Sequence, residues 1–483
     1  MFKFDTTKIP EYALKVARIL LKEGYECYLV GGAVRDNLLG IYTHNYDFTT
    51  NATPEELIKI ESFPKAVQIN QRFGTIAVIV ADEHGENFNV DVTTYRSESE
   101  YVGGRWPSEV KLGVSLEEDL KRRDFTINAL TINMKDVFEG KDVKVIDNFD
   151  GIKDLEDKII RTVGDPIERF SEDGLRSVRA CRLASNKEFV IEPNTYEAIK
   201  QTLHITKKIS IERFKEEFDK ILLKSPKPSV GLNLLKDTGI LKIFIPELLE
   251  GLNVNQPKFH VHDVFEHALA CVDKAEDQVK LAALFHDIAK PRCADGEGHF
   301  YGHDQMGATM VREILTRLKY PKEQVEKTAK LIENHMFFYP YSIYDDPNFN
   351  SEELKKKDRD EKLNIGWKDN AIRRFIQRVG EDNIEDLFRL RIADATCNPK
   401  SAWDPTEIDR LQARISKVLS EDSALKISDL DIDGNDLKEI GYNGKEIGEI
   451  LQKLLDKVID EPVLNEKSKL QEIVLKEFVN KKL

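Results

Sequence analysis

The stretch LVGGAVRD, residues 29–36, decides how the first third of this chain is read. The short β-rich run YECYLV leads into Gly31-Gly32, and AVRDNLLG then reads as a short helix stopped at Gly40. Two glycines between a strand and a helix let backbone N–H groups come close to a phosphate. Alone, the pair marks only a tight turn, so its weight depends on its surroundings. Upstream, EYALKVARILLKEG is an amphipathic helix stopped by Gly24. Downstream, GTIAVIVA and FNVDVTTYR read as strands separated by a turn around Gly85. The segment SEYVGGRWPSEVKLG is rich in Gly, Ser and Pro and reads as a mobile loop.

Asp47 in HNYDFTT and Asp91 in NVDVTTYR bring carboxylates to this mixed region. Nucleotidyl transfer uses two divalent ions, one on the attacking hydroxyl and one on the triphosphate. Mg²⁺ prefers carboxylate oxygens. Acids at i and i+2 of a strand share a face, and a neighbouring strand can supply a third. Asp47 and Asp91 fit two of those places; the i−2 neighbour of Asp47 is Asn45, an amide.

The whole chain has 483 residues, 72 Lys+Arg against 86 Asp+Glu, a formal charge of −14, 41% hydrophobic and 33% charged residues. That composition excludes a disordered chain, and the length suggests roughly three or four domains. No apolar run approaches the ~20 residues of a membrane span, and the N-terminal residues lack a secretory pattern. Cys27, Cys181, Cys271, Cys293 and Cys397 are scattered without a CxxC pair, so a reducing, cytoplasmic setting is expected. The net charge argues mildly against non-specific nucleic-acid binding, although a local basic patch would suffice for it.

Helical periodicity takes over near Gly151, in SEDGLRSVRACRLAS, SIERFKEEFDKILLK and SVGLNLLKDTGIL. Within it, Asp173 and Arg176 stand at i and i+3 on a predicted helix, a spacing that in isolation means a solvent-facing ion pair. Arg179 and Arg182 follow on successive turns. Farther on, six of the ten histidines fall between 260 and 303. His267 (FEHALA), His286-Asp287 (LFHDIAK), His303 (YGHDQ), His335 (ENHM) and Asp394 (RIADAT) form a spaced set of imidazoles and carboxylates suited to one or two divalent metals. His260, His262 and His299 are expected to be ordinary surface or supporting residues. The tail, around GKEIGEILQKLLDKVI, alternates acids and lysines and reads as a solvated helix face.

The order GGAVRDNLLG, YDFTTNATPEE, VDVTTYRSE, EEDLKRRDFTINAL, DPIERFSEDGLRSVRACR resembles the class II tRNA nucleotidyltransferases. These comprise CCA-adding enzymes and bacterial poly(A) polymerases of the polymerase-β-like superfamily. The histidine block resembles the HD superfamily of metal-dependent phosphohydrolases. The resemblance implies an α+β fold: a nucleotidyltransferase head with a mixed sheet over 1–150, helical neck and body over 151–255, an HD domain over 256–400, and a helical tail over 401–483. It implies Asp47 and Asp91 as catalytic ligands of Mg²⁺, with Asn45 where the family carries the first acid of Asp-x-Asp. This departure, natural or engineered, predicts nucleotide binding with poor transfer. Gly31, Gly32, Arg35, Asp36, Arg122, Arg123, Asp124, Asn128, Asp173, Arg176, Arg179 and Arg182 are implied at the nucleotide site. His267, His286, Asp287, His303, His335 and Asp394 are implied around a divalent metal of unspecified identity. The SEYVGGRWPSEV loop matches a family loop associated with switching from C to A addition. The implied function is addition of CCA to tRNA 3′ ends from CTP and ATP, with the tail along the tRNA arms and no membrane partner. An A-adding enzyme or poly(A) polymerase is the alternative. An HD phosphohydrolase with a non-catalytic, tRNA-binding head is the alternative of another class.

Overall fold

The computed structural model describes residues 2–70, 73–82, 84–102, 106–256, 261–339, 367–398, 403–421 and 424–478. The chain divides into two units, residues 1–249 with 317–319, and residues 250–316 with 320–483.

The first unit is built on β1 (Tyr28–Val30), β2 (Asp47–Thr50), β3 (Ala66–Asn70), β4 (Thr75–Ala81), β5 (Asn87–Thr94), β8 (Thr131–Asn133) and β9 (Val145–Ile146). They form one mixed sheet in the order β3-β4-β5-β2-β1-β8-β9. Only β2 and β5 pair in parallel; the other pairs are antiparallel. A parallel pair cannot be closed by a hairpin. The chain between them forms a helix over Pro54–Ile58 and the β3–β4 hairpin before returning. Strand β5 alternates, burying Val90, Val92 and Thr94 and leaving Asp91 and Thr93 half-buried on its other face. Helix α1 (Glu11–Lys22) buries Tyr12, Ala13, Val16, Ala17 and Leu20, one stripe at helical spacing, and its Tyr12 stacks on Phe88 at 4.4 Å.

The segment expected to be a loop is instead a two-stranded antiparallel hairpin, β6 (Arg96–Val102) with β7 (Trp106–Leu112). Pro107 is accommodated because a two-stranded ribbon has only edge strands. The helices of this unit also include α2 (Gly32–Leu38, following β1), α3 (Leu116–Lys121), α4 (Gly151–Glu156), α5 (Pro166–Glu172), α6 (Leu175–Lys187) and α7 (Ile211–Lys224). Helix α6 packs along α7.

The second unit is helical: α8 (Val264–Lys274), α9 (Lys280–Phe285), α10 (His303–Arg317), α11 (Lys322–Asn334), α12 (Asp369–Val379), α13 (Glu381–Cys397) and α14 (Thr406–Ser420). The tail follows as α15 (Lys445–Asp460) and α16 (Lys467–Glu477). It has its own core, in which Leu437, Leu454, Leu470 and Val474 are fully buried. Among the described residues no helix is long and apolar enough to cross a membrane.

Candidate functional site

The parallel pairing of β2 and β5 sets Asp47 directly opposite Asp91. Register partners on adjacent strands project to the same face, with the strands about 4.8 Å apart. On the other side Asp47 pairs with Val30, the residue before the glycine corner. Gly31 takes φ 71°, a left-handed conformation that favours glycine. A Cβ there would stand 3.2 Å from Arg123 Nη1, so the tip of that arginine lies against the corner. Among the described residues neither Asp47 nor Asp91 has an ion-pair or hydrogen-bond partner for its carboxylate. Asp47 is pushed up to about 6, by burial first and by Asp91 second, while Arg123 and Arg179 pull it back. Burial also raises Asp91. Asp47 is nonetheless exposed to solvent, unlike the rest of β2, which is buried. Two facing carboxyls held above their ordinary range are a site that gains from a cation, and oxygen donors suit Mg²⁺. Asn45 is exposed two residues before the strand, its N–H donating to Thr43 Oγ1 at 3.2 Å.

The neighbouring polar residues form a dense ionic network. Arg35 and Asp36 are buried and turned toward each other, with Arg35 Nε and Nη2 each 2.9 Å from Asp36. Arg35 Nη1 also donates to Asn128 Oδ1 at 2.5 Å. Lys187, at the end of α6, lies 2.7 Å from Asp36 and ties α2 to the neck. Asp124 accepts from Arg179 at 2.6 and 2.8 Å and from Asn128 at 3.0 Å. Burial opposes its ionisation, but Arg179, Asn128 and Arg176 outweigh that and draw it down to about 2. Arg122 pairs with the fully buried Asp119 at 2.7 Å, and Arg182 with Glu217.

Asp173 and Arg176 do not share a helix. Helix α5 ends at Glu172, Asp173 is extended at φ −142° and ψ 109°, and α6 begins at Leu175. At the junction the backbone runs so close to the 205–206 segment that a Cβ on Gly174 would meet the Ile205 carbonyl oxygen at 2.8 Å. Each of the two side chains is engaged by its own protein partners. Arg176 donates to Glu172 at 2.7 Å and to the Arg122 carbonyl at 2.9 Å, and Asp173 is gripped by Arg213. Arg213 lies 40 residues away and carried no local signal.

In the second unit the six predicted metal-site residues converge. His267 comes from α8, His286 and Asp287 follow α9, His303 opens α10, His335 follows α11, and Asp394 lies on α13. Asp287 is the hub. Its Oδ2 is 3.2 Å from His286 Nε2 and 3.6 Å from His267 Nε2, and its Oδ1 is 3.5 Å from His303 Nε2 and 3.7 Å from His335 Nε2. Asp394 closes the set at 3.0 Å from His267 Nε2. Three of the rings are oriented from behind: Nδ1–H of His286, His303 and His335 donates to the carbonyls of Ala283, Phe300 and Ile332 at 2.9, 2.6 and 2.7 Å. A carbonyl can only accept, so Nδ1 of each ring carries a proton and Nε2 is the nitrogen that faces Asp287. Buried Asp287 oxygens and His303 Nε2 receive no well-directed hydrogen bond. Imidazole nitrogens gathered on a buried carboxylate are a donor set that fits a metal cation. His267 is pushed up to about 10; burial opposes this, but Asp394, Cys397 and Asp287 prevail. Asp287 and Asp394 are held well below the carboxylate range against burial by the surrounding cations and hydrogen bonds.

Lys290, not anticipated from the sequence, is 2.7 Å from Asp287 Oδ2 and 2.6 Å from Gln256 Oε1. Its place one helical turn after Asp287 was the available signal. Beside it opens a cavity of about 390 Å³ lined by Gln256, Lys290, Phe300, Tyr301, His303 and Met336. His299 bonds the exposed Asp295 and His262 lies near Glu266, both outside the metal set; His260 falls outside the described residues.

Comparison with known proteins assigns residues 27–161 to the poly A polymerase head domain and 188–252 to a region described as an RNA- and SrmB-binding site of polymerase A. Residues 259–398 match the HD domain, and 399–474 the second domain of tRNA nucleotidyltransferases. The CCA-adding enzyme of Ligilactobacillus salivarius is 45% identical over 230 residues, covering 48% of this chain and 53% of that protein. That of Lactococcus lactis subsp. cremoris is 41% identical over 243 residues, covering 50% and 57%. The chain thus spans about half the length of the curated relatives it matches. Among solved structures, the Bacillus stearothermophilus CCA-adding enzyme in complex with CTP aligns over 98% of both chains, with a TM-score of 0.66 and 25% identity. The Thermotoga maritima CCA-adding enzyme complexed with tRNA shares the fold at a TM-score of 0.53 and 19% identity, over 96% of this chain and 94% of that one.

Proposed function

We propose that this chain, a poly A polymerase head joined to an HD domain and a tRNA nucleotidyltransferase domain, adds C, C and A to the 3′ end of tRNA from CTP and ATP. The observation that carries the reading is the pairing of Asp47 with Asp91 beside the Gly31 corner and Arg123. The full-length likeness to the CTP-bound Bacillus enzyme supports it.

In the reaction the terminal tRNA hydroxyl attacks the α-phosphate in line and pyrophosphate leaves. Asp47 and Asp91 would hold Mg²⁺, with Asn45 contributing an amide oxygen at most. When bound, the metal activates the hydroxyl and neutralises the triphosphate. Arg123 and Arg179 bring positive charge toward Asp47, where the triphosphate must lie. Asp124 and Asn128 fix Arg179 and Arg35 rather than meeting solvent. Asp173 accepts from the base amino group and Arg176 donates to the ring nitrogen, so cytosine and adenine are chosen by polarity. The α15–α16 tail lies along folded tRNA, reading shape and backbone.

Incubating tRNA lacking its 3′ end with single labelled nucleotides tests this. Successive C and A incorporation supports it. Incorporation of A alone makes the chain an A-adding enzyme or poly(A) polymerase. No incorporation, with phosphate release, makes it an HD phosphohydrolase with a binding head. A phosphohydrolase activity of the second unit is favoured as an additional reading by the inward-facing imidazoles around Asp287.

A further inference from the structure

Three of the four imidazoles around Asp287 are oriented by a backbone carbonyl three residues earlier. The fourth, His267, meets a side chain from another helix. Its Nδ1 lies 3.6 Å from Cys397 Sγ, 130 residues away. Cys397 is the last residue of α13 and is buried. Its thiol donates to the Asp394 carbonyl, three residues earlier on the same helix, at 3.1 Å. A thiol has one proton to give. With that proton on the carbonyl, the sulfur offers His267 a lone pair, and Nδ1 is the ring nitrogen that carries a proton toward it. Nε2 of the same ring stands 3.0 Å from Asp394 Oδ1 and 3.6 Å from Asp287 Oδ2. One sulfur thus holds the ring of His267 on α8 and the backbone of Asp394 on α13, two members of the metal set from different helices. The contact is weak as a bond, and its value is direction: a ring held at Nδ1 presents Nε2 to a cation. Cys271 supplies a contrast. It lies one turn after His267 on α8, is fully buried, and its thiol meets that of Cys397 where α8 packs on α13.

We infer that Cys397 is a positioning residue for the metal centre of the second unit: its sulfur fixes His267 with Nδ1 protonated and Nε2 turned inward, the part that a carbonyl plays for His286, His303 and His335. The inference rests on the reading of the six converging residues as a metal site. The sulfur stands on the Nδ1 side of the ring and is not itself a ligand. A serine hydroxyl can both donate to the Asp394 carbonyl and accept from Nδ1–H, whereas alanine can do neither.

Co²⁺ binding to the metal-free full chain tests this without any turnover. Affinity is read by competition with a chromophoric chelator under reducing conditions, for the parent, Cys397→Ala, Cys397→Ser, Cys271→Ala and Asp287→Asn, the last marking which binding belongs to the second unit. Loss of a partner that orients a ligand costs about 10–100-fold in metal affinity, and that is the loss expected in Cys397→Ala. Cys397→Ser should recover most of it, and Cys271→Ala should stay close to the parent. The Co²⁺ spectrum of the parent should carry no sulfur-to-metal charge-transfer band. An affinity in Cys397→Ala within about twofold of the parent would overturn the inference and leave the metal site standing. An equal loss in Cys271→Ala would assign the effect to helix packing and overturn it too. A charge-transfer band that disappears in Cys397→Ala would make the sulfur a ligand, not a positioner. A parent without Asp287-dependent binding would remove the metal site itself, and the inference with it. Should Cys397→Ala fail to fold, Cys397→Val, which fills the space without a polar atom, carries the same comparison.

Discussion

Replacing Gly174 with alanine perturbs the base-reading corner without touching any charged group. The backbone there has φ −59° and ψ −19°, which alanine adopts freely, so the penalty is crowding alone. The new Cβ would stand 2.8 Å from the Ile205 carbonyl oxygen and from Thr206 Cα. Both are backbone atoms, and no rotamer relieves the contact. Ordinary contact begins near 3.4 Å, so the α5–α6 junction and the 205–206 segment must part by about 0.6 Å. Overpacking of this kind costs about 1–3 kcal/mol, of which the smaller unfolded-state entropy of alanine returns about 0.4–1. The net is a destabilisation of ~1–2 kcal/mol, which for a unit of this size lowers the melting midpoint by about 2–8 °C. The same displacement moves Asp173 against the Arg213 fork, whose contacts are 2.6 and 3.0 Å. Misplacing a reacting group by about 1 Å costs on the order of 100-fold, so a shift of this size should weaken CTP use about tenfold. Differential scanning calorimetry and a CTP titration read the two effects separately. A variant with an unchanged midpoint and CTP affinity within twofold of the parent would show that the corner yields without cost, and would refute the claim that packing fixes Asp173.

Restoring an acid with Asn45→Asp should raise nucleotide incorporation by about 10²–10³-fold, the usual worth of one electrostatic contact to a transition state, as read by single-turnover extension of tRNA; an unchanged rate would remove position 45 from the metal site. Asp47, pushed up to about 6, must lose its proton to hold a metal, so apparent Mg²⁺ affinity should climb from pH 5 to 7, with proton release visible when calorimetry is run in two buffers. The sign for stability is opposite: an acid whose folded pKa is raised favours its protonated form, so the metal-free head loses stability as pH rises from about 4 through 6. Substituting Asp287→Asn should abolish tight divalent-metal binding by the second unit, measured by elemental analysis after dialysis, because the amide removes the charge on which His267, His286, His303 and His335 converge.

The parts of this molecule legible in the sequence are those coded within a few residues. The β1–glycine–α2 corner, α1, and the later helices announce themselves through periodicity and stop signals. Asp47 and Asp91 could be proposed as neighbours only through chemistry and resemblance, since their parallel register is closed by residues between them that carry no sign of it. The break at Asp173 was hidden because EDGLRSVRAC has helical spacing throughout. Its partners at the break, Ile205 and Thr206 against Gly174 and Arg213 on Asp173, are about thirty to forty residues on. The β6–β7 hairpin was obscured by turn-forming residues within strands whose pairing outweighs propensity. Ionic partners such as Lys187 for Asp36 and Glu217 for Arg182 are likewise set by how the helices pack.

The two candidate metal sites solve the same electrostatic problem by different means, and the difference bears on Asn45. In the second unit each of three histidines gives its Nδ1 proton to the carbonyl three residues earlier, so local backbone geometry fixes the tautomer before any metal arrives. There Lys290 meets part of the demand for positive charge at 2.7 Å from Asp287 Oδ2, while buried Asp287 oxygens and His303 Nε2 still lack a well-directed hydrogen bond. In the head the corresponding part is played by Arg123 and Arg179, which act on Asp47. With an amide at 45, two carboxyls stand against two guanidiniums, one of which is shared with Asp124. A third acid would tip that balance toward a net negative cleft and make a bound cation necessary rather than merely favourable. On the proposed reading of position 45, Asn45→Asp should therefore steepen the Mg²⁺ dependence of incorporation as it raises the maximum.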